Sequence, residues 1–160
     1  MLGELINILL GRNGGALLIG VGNDISGDDA FGPELARRLK PLIGERAIDS
    51  GLAPENWTGP IVKLAPERLV IADAVAFGGN PGELRIFSPE ELFEGIPATH
   101  GPGLGAFIAY IRDRLPDCEV IILAVQPAKT GLMEPLSPEV ESAIEKIVEE
   151  FKLILGKNEF

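Results

Sequence analysis

Three stretches of this chain are apolar without interruption: Ala16-Leu17-Leu18-Ile19-Gly20-Val21, Leu69-Val70-Ile71 at the centre of Arg68–Ala72, and Val120 to Val125 after Glu119. A strand with one face in water alternates apolar and polar residues. One that is apolar at every position is covered on both faces, which is the habit of parallel sheets held between helices. The segments between these runs carry the helical period instead. Leu35, Ala36 and Leu39 follow Pro33; Leu104, Phe107, Ile108, Ile111 and Leu115 share one face of a helix over 102–115. Val140, Ala143, Ile144, Ile147, Val148, Phe151 and Ile154 line a long final helix that Ser137-Pro138 opens. Strands alternating with helices, without a repeat, predict one α/β domain: a three-layer sandwich around a twisted, mostly parallel sheet.

The remaining segments fill in that plan. Ala47-Ile48-Asp49 reads as a short second strand. Residues 54–64 read as a helix that ends or breaks near Gly59-Pro60. Asn80-Pro81-Gly82 turns into Glu83-Leu84-Arg85-Ile86-Phe87, whose alternation predicts a half-exposed edge strand running antiparallel. Leu2, Leu5, Ile6, Leu9 and Leu10 form a short amphipathic helix that Gly11 ends. This helix either packs on the domain or docks a partner. The organisation expected is a helical extension over 1–14, a domain over 15–155 and a frayed tail over 156–160.

Composition excludes several classes of function. At 160 residues, 46% hydrophobic and 24% charged, the chain buries a sizeable core without staples. Its net charge of -10 repels nucleic acid and anionic membranes. The single cysteine, Cys118, makes no internal disulfide and reads as a buried thiol at the edge of an apolar run. No apolar stretch reaches the ~18–20 residues that cross a bilayer. The first ten residues lack a basic segment and include Glu4, a poor signal peptide, so the cytoplasm is the expected compartment.

Ligand sites in open α/β sheets lie beyond the carboxyl ends of the strands. Two aspartates follow such ends, Asp29 in Gly27-Asp28-Asp29 and Asp73 in Ile71-Ala72-Asp73, and the only histidine, His100, sits in Thr-His-Gly-Pro-Gly. One imidazole and two carboxylates make a three-ligand set for a borderline transition metal. The bland alternatives are a helix cap for one of the paired aspartates, a turn residue for Asp73 and a surface loop for His100. Of the pair, Asp28 is expected to hydrogen-bond the turn and leave Asp29 facing the cleft.

Other chemistries fit less well. Gly20-x-Gly22 lacks the third glycine of a dinucleotide loop, Ile25 standing there, and Asp24, Asp28 and Asp29 would repel a phosphate. No serine sits in a Gly-x-Ser-x-Gly elbow. Glycoside chemistry would want aromatic platforms, and aromatics are 6% of the chain. Metal-assisted hydrolysis remains. Two oxygens and one imidazole, without a second histidine, hold a resident zinc only modestly, which favours a site completed by something that a partner brings.

Six short stretches, in unbroken order, resemble the [NiFe]-hydrogenase maturation endopeptidases, most closely the branch serving formate-hydrogenlyase-type hydrogenases. They are Gly20-Val-Gly-Asn23 with Gly27-Asp-Asp29 and Gly32-Pro33; Asp49-Ser-Gly-Leu-Ala-Pro-Glu-Asn56; Leu69-Val-Ile-Ala-Asp-Ala74; Asn80-Pro-Gly-Glu83; Thr99-His100; and Gln126-Pro127. The resemblance implies a twisted five-stranded sheet and the removal of a C-terminal extension from the hydrogenase large-subunit precursor. It implies that Asp29, Asp73 and His100 form the metal-recognising and catalytic site, reading nickel that the precursor carries; no stored organic cofactor is implied. Asp49, Asn56 and Gln126 are expected to add supporting hydrogen bonds; Gly101, Gly103 and Gly105 beside His100 either loosen the backbone or meet ordinary turn requirements. Met1 to about Gly14 extend beyond the usual family beginning. A nickel escort protein without hydrolysis and a peptidase with resident zinc are the rival readings; nothing demands more than a monomer.

Overall fold

The computed structural model describes residues 2–11, 15–95 and 101–158, the side chains of Gly101, Pro102, Lys157 and Asn158 excepted. Five strands form the sheet: β1 (Ala16–Val21), β2 (Ala47–Gly51), β3 (Arg68–Ala74), β4 (Leu84–Phe87) and β5 (Glu119–Val125). Their order across it is β2-β1-β3-β5-β4. β1 runs parallel to both β2 and β3, and β3 parallel to β5. β4 lies antiparallel on the outer edge of β5, as its alternating sequence predicts. The predicted three-layer α/β architecture is the one observed.

Helices α1 (Leu2–Leu10), α2 (Phe31–Ile43) and α6 (Pro138–Asn158) cover one face of the sheet. There they meet Leu18, Val70, Ala72, Ile121, Leu123 and Val125. Helices α3 (Thr58–Leu64), α4 (Pro89–Gly95) and α5 (Gly101–Arg114) cover the other, against Leu17, Ile19, Val21, Leu69, Ile71 and Ile122. Successive strand residues thus feed opposite cores, so both faces of the central strands must be apolar. Each large aliphatic side chain so buried stabilises the fold by about 1.5–3 kcal/mol.

Several local readings change. The first helix packs on the domain: Ile6 is fully buried and Leu9 nearly so, against α6 and β1. The segment 54–64 is a short 3-10 turn, Pro54–Trp57, followed by α3, which begins just before Gly59-Pro60 instead of ending there. Pro60 stands in the first turn of that helix, where a missing N–H costs nothing. Helix α4 was not anticipated. Its signal is a capping box: Ser88 Oγ accepts from Glu91 N–H at 3.1 Å, and Glu91 Oε1 accepts from Ser88 N–H at 2.9 Å. At the other end α6 continues through Gly156 to Asn158, where a frayed tail was expected. Among the described residues no helix is long and apolar enough to cross a membrane.

Candidate active site

The parallel strands β1, β3 and β5 end at one edge of the sheet, and the loops beyond them build the site. After β1 the chain passes Gly22-Asn23, turns, and enters a 3-10 turn over Gly27–Ala30 that leads straight into α2. Gly22 has φ 150°, and a Cβ there would lie 2.0 Å from the Asp29 carbonyl oxygen. The second glycine of Gly20-x-Gly22 therefore makes room for the loop carrying Asp29, and its role is packing.

The paired aspartates go separate ways. Asp28 is fully buried. Its Oδ1 accepts from Ser137 N–H at 2.7 Å, and its Oδ2 from Ser137 Oγ–H at 2.8 Å, Ala128 N–H at 2.8 Å and Lys129 N–H at 3.1 Å. Ser137 in turn caps α6, its Oγ accepting from Val140 N–H at 3.3 Å. Asp28 is thus the member of the pair bound up in four hydrogen bonds. Asp29 is half-buried, accepts from Asn23 N–H at 3.4 Å, and lines a cleft on the α5 side of the sheet.

That cleft encloses about 770 Å³, within the usual size of a ligand pocket. Val21 and Asp29 form one wall, Leu52, Pro54, Glu55 and Thr58 a second, and Leu104, Phe107 and Tyr110 of α5 a third. Leu52, Pro54 and Glu55 of the second wall come from the Asp49–Asn56 stretch, and Thr58 opens α3. The Phe107 and Tyr110 wall went unrecognised, because helix periodicity marks Phe107 as core and leaves Tyr110 as a surface residue.

Asp73 lies inside β3, not in a turn after it, and is 1% exposed. Its register partner on β5 is Ala124. Leu69, Ile71 and Val75 all belong to the core beneath α3 and α5, and the two-residue period places Asp73 on that same face. A buried position within a strand is not that of a turn residue. Asp29 thus lies in the 3-10 turn beyond β1 and lines the cleft, while Asp73 lies near the end of the neighbouring parallel strand β3, buried on the face that α5 covers.

His100 lies outside the described residues. Gly101, the first residue of α5, follows it directly, and Gly103 and Leu104 line the cleft. Among the described residues, no group of three or more potential metal ligands is assembled. Gly103 and Gly105 are helical.

The supporting residues anticipated from sequence serve their own loops. Asp49 accepts from Gly51 N–H at 3.1 Å and faces Arg37 at 3.5 Å. Gln126 Oε1 accepts from Phe77 N–H at 2.8 Å and Gly79 N–H at 3.1 Å, and its Nε2 donates to Pro127 O at 3.4 Å. It thereby ties down the segment that follows Asp73. Asn56 is exposed.

Comparison with known proteins decides the family. The family model described as hydrogenase maturation protease matches residues 33–153. The chain belongs to the hydrogenase maturation protease family. It is 37% identical to the hydrogenase 3 maturation protease of Escherichia coli over 134 residues, 82% of this chain and 85% of that one. The crystal structure of a [NiFe] hydrogenase maturation protease, HycI, from Thermococcus kodakarensis superposes with a TM-score of 0.81 at 32% identity, covering 96% of this chain and 99% of the other. So wide a match takes in at least part of the first helix. The solution structure of the endopeptidase HycI from Escherichia coli gives a TM-score of 0.74 at 36% identity, over 84% and 86% of the two chains. As a maturation protease the chain is a peptide hydrolase, and the cleft bounded by Asp29 is its candidate active site.

Proposed function

We propose that this protease removes the C-terminal extension of a [NiFe]-hydrogenase large-subunit precursor after nickel has been inserted, and that it recognises the nickel carried by that substrate. Asp29, Asp73 and His100 are the residues assigned to this recognition and to catalysis. The observation that supports the reading is Asp29 lining the cleft beside α5, with Asp73 buried under that helix near the end of β3, the strand next to β1. Identity of 37% to a hydrogenase 3 maturation protease supports the formate-hydrogenlyase-type branch.

Peptide hydrolysis needs a polarised carbonyl, a water that gives up a proton and an amine that receives one. Substrate nickel, still held by the precursor's thiolates, offers open positions to two oxygens and one imidazole. Engagement of those positions fixes the scissile peptide beside the metal, which polarises the carbonyl or activates the water. A carboxylate of the site takes the proton from the attacking water and passes it to the leaving amine. The cleft is large enough for an extended segment of polypeptide. No organic cofactor enters this scheme. The enzyme works as a monomer in the cytoplasm, and its charge of -10 keeps it off nucleic acid.

Purified protein incubated with nickel-loaded and nickel-free precursor provides the test. Tail removal is expected only from the loaded form, and equal cleavage of both would overturn the reading of substrate metal. Full activity in Asp73→Ala or His100→Ala would remove those residues from the site. Metal analysis of the protein as purified is expected to find it nearly empty; stoichiometric zinc would favour a resident-zinc peptidase instead.

A further inference from the structure

We infer that Asp28 is a positioning residue of the protease, a latch that joins the loops after β1 and β5 and thereby sets the Asp29 carboxylate in the cleft. The inference rests on the assignment of Asp29 to the site.

The topology makes this junction informative. β1 and β5 are not neighbours, for β3 lies between them. A link from the loop after β1 to the loop after β5 therefore spans two strand spacings, about 10 Å, across the end of the strand that carries Asp73. Asp28 makes that link with four hydrogen bonds, to Ala128, Lys129 and both donors of Ser137. The two backbones run together beneath it. Asp28 N–H donates to Lys129 O at 2.8 Å, Gly27 N–H to Glu134 O at 3.0 Å and Met133 N–H to Ile25 O at 2.6 Å. Gly27, at φ 57°, allows the approach, since a Cβ there would lie 2.6 Å from Lys129 O.

The Asp28 side chain is fully buried, and its two oxygens accept all four of these bonds. Its neighbour Asp29 shares the same 3-10 turn, with Asp29 N–H donating to Ser26 O at 3.1 Å. Adjacent side chains of that turn leave in different directions, Asp28 toward the start of α6 and Asp29 into the cleft beside α5. Fixing the first fixes the second. A chain needing only a helix cap would be served by Ser137 alone, which already caps α6.

Asp28→Asn can keep an oxygen toward Ala128 and Lys129 but turns an N–H toward the Ser137 N–H, so one attractive contact becomes repulsive. Ser137→Ala leaves the three backbone donors and removes the hydroxyl. Both variants, together with Asp29→Asn and an Ile147→Val control chosen to lower the melting temperature through the core of α6, are assayed with nickel-loaded precursor well below their melting temperatures. Loss of positioning predicts that kcat per folded molecule falls about 10–100-fold in Asp28→Asn, and less in Ser137→Ala, while KM stays within about threefold and the control keeps wild-type kcat. If Asp28→Asn fails to fold, Ser137→Ala decides. Wild-type kcat in the folded Asp28 and Ser137 variants, beside an inactive Asp29→Asn, would overturn the latch alone. An active Asp29→Asn would instead overturn the site assignment on which it rests.

Discussion

Gly20 on β1 and Gly32 at the start of α2 are in backbone contact: a Cβ on Gly20 would lie 2.0 Å from the Gly32 carbonyl oxygen. The contact continues into the sheet, because a Cβ on Gly32 would lie 2.3 Å from the carbonyl oxygen of Ala72, the residue before Asp73. The first turn of α2 therefore rests on the bare backbone of two strands at once. The loop bearing Asp29 is drawn against the end of β3 by this absence of side chains.

Gly32→Ala tests that contact. The clashing atoms are backbone, which cannot swing aside, so the substitution is expected to destabilise by at least the 1–3 kcal/mol typical of an overpacked core. A thermal melt measures the loss. Cleavage by the surviving folded protein should fall as well, because α2 can make room only by lifting the Asp29 loop away from β3.

The first helix is part of the core. Ile6 is fully buried against the layer formed by α6 and β1. Ile6→Ala should cost about 2–5 kcal/mol in denaturant unfolding, the range for a large aliphatic residue truncated in a packed interior. A change below about 0.5 kcal/mol would mean that the helix is detached in solution.

Acid stability should depend on Glu34. Burial alone would raise its carboxyl, but hydrogen bonds from Arg37 and Arg38 outweigh that effect and hold it below the ordinary value of 4.5. A carboxyl depressed in the folded state adds stability above its unfolded value, and that stability is lost as pH falls through the folded value. Arg38 also reaches Glu141 at 2.8 Å, so the cluster joins α2 to α6. Glu34→Gln is expected to lower the melting temperature at neutral pH and to flatten its decline below about pH 4.5. A decline as steep as in the unmodified protein would place the acid sensitivity elsewhere.

Cys118 should be a slow nucleophile. Burial pushes its thiol above the ordinary 9.0, against a hydrogen bond at the Leu69 backbone and with the help of negative Glu119. At neutral pH the thiolate is therefore scarcer than in a free cysteine. Alkylation of the native protein should run several-fold slower than alkylation of the unfolded chain, and Cys118→Ser should leave precursor cleavage unchanged. Equal rates in the two states would contradict the burial argument.

Much of the architecture was legible because sheet and helix periods are written locally. Ala16–Val21 and Glu119–Val125 appear as strands with the predicted bounds, and the alternation in Leu84–Phe87 correctly placed an antiparallel edge. Gly59-Pro60 misled, since proline opens a helix as readily as it closes one. The Ser88-Pro89-Glu90-Glu91 capping box is the local sequence signal for α4.

The residues of the site are less legible in the sequence than the layers are. That an aspartate pair sits beyond a buried strand is plain from the sequence, as is the need for one member to hydrogen-bond the turn. That the partner of Asp28 would be Ser137, 109 positions away, has no local signature; Ser137 announced only its helix cap. Asp49 and Gln126 suggested support for the carboxylates by chemistry alone, yet Asp49 turned to Arg37 and Gly51, and Gln126 to Phe77 and Gly79. Periodicity and residue type determined the layers of this protein and the kind of group at each strand end, because those depend on neighbours a few positions apart. Which side of the sheet each carboxylate faces, and which loop holds it there, was decided only by folding, because those contacts join segments that the chain order keeps far apart.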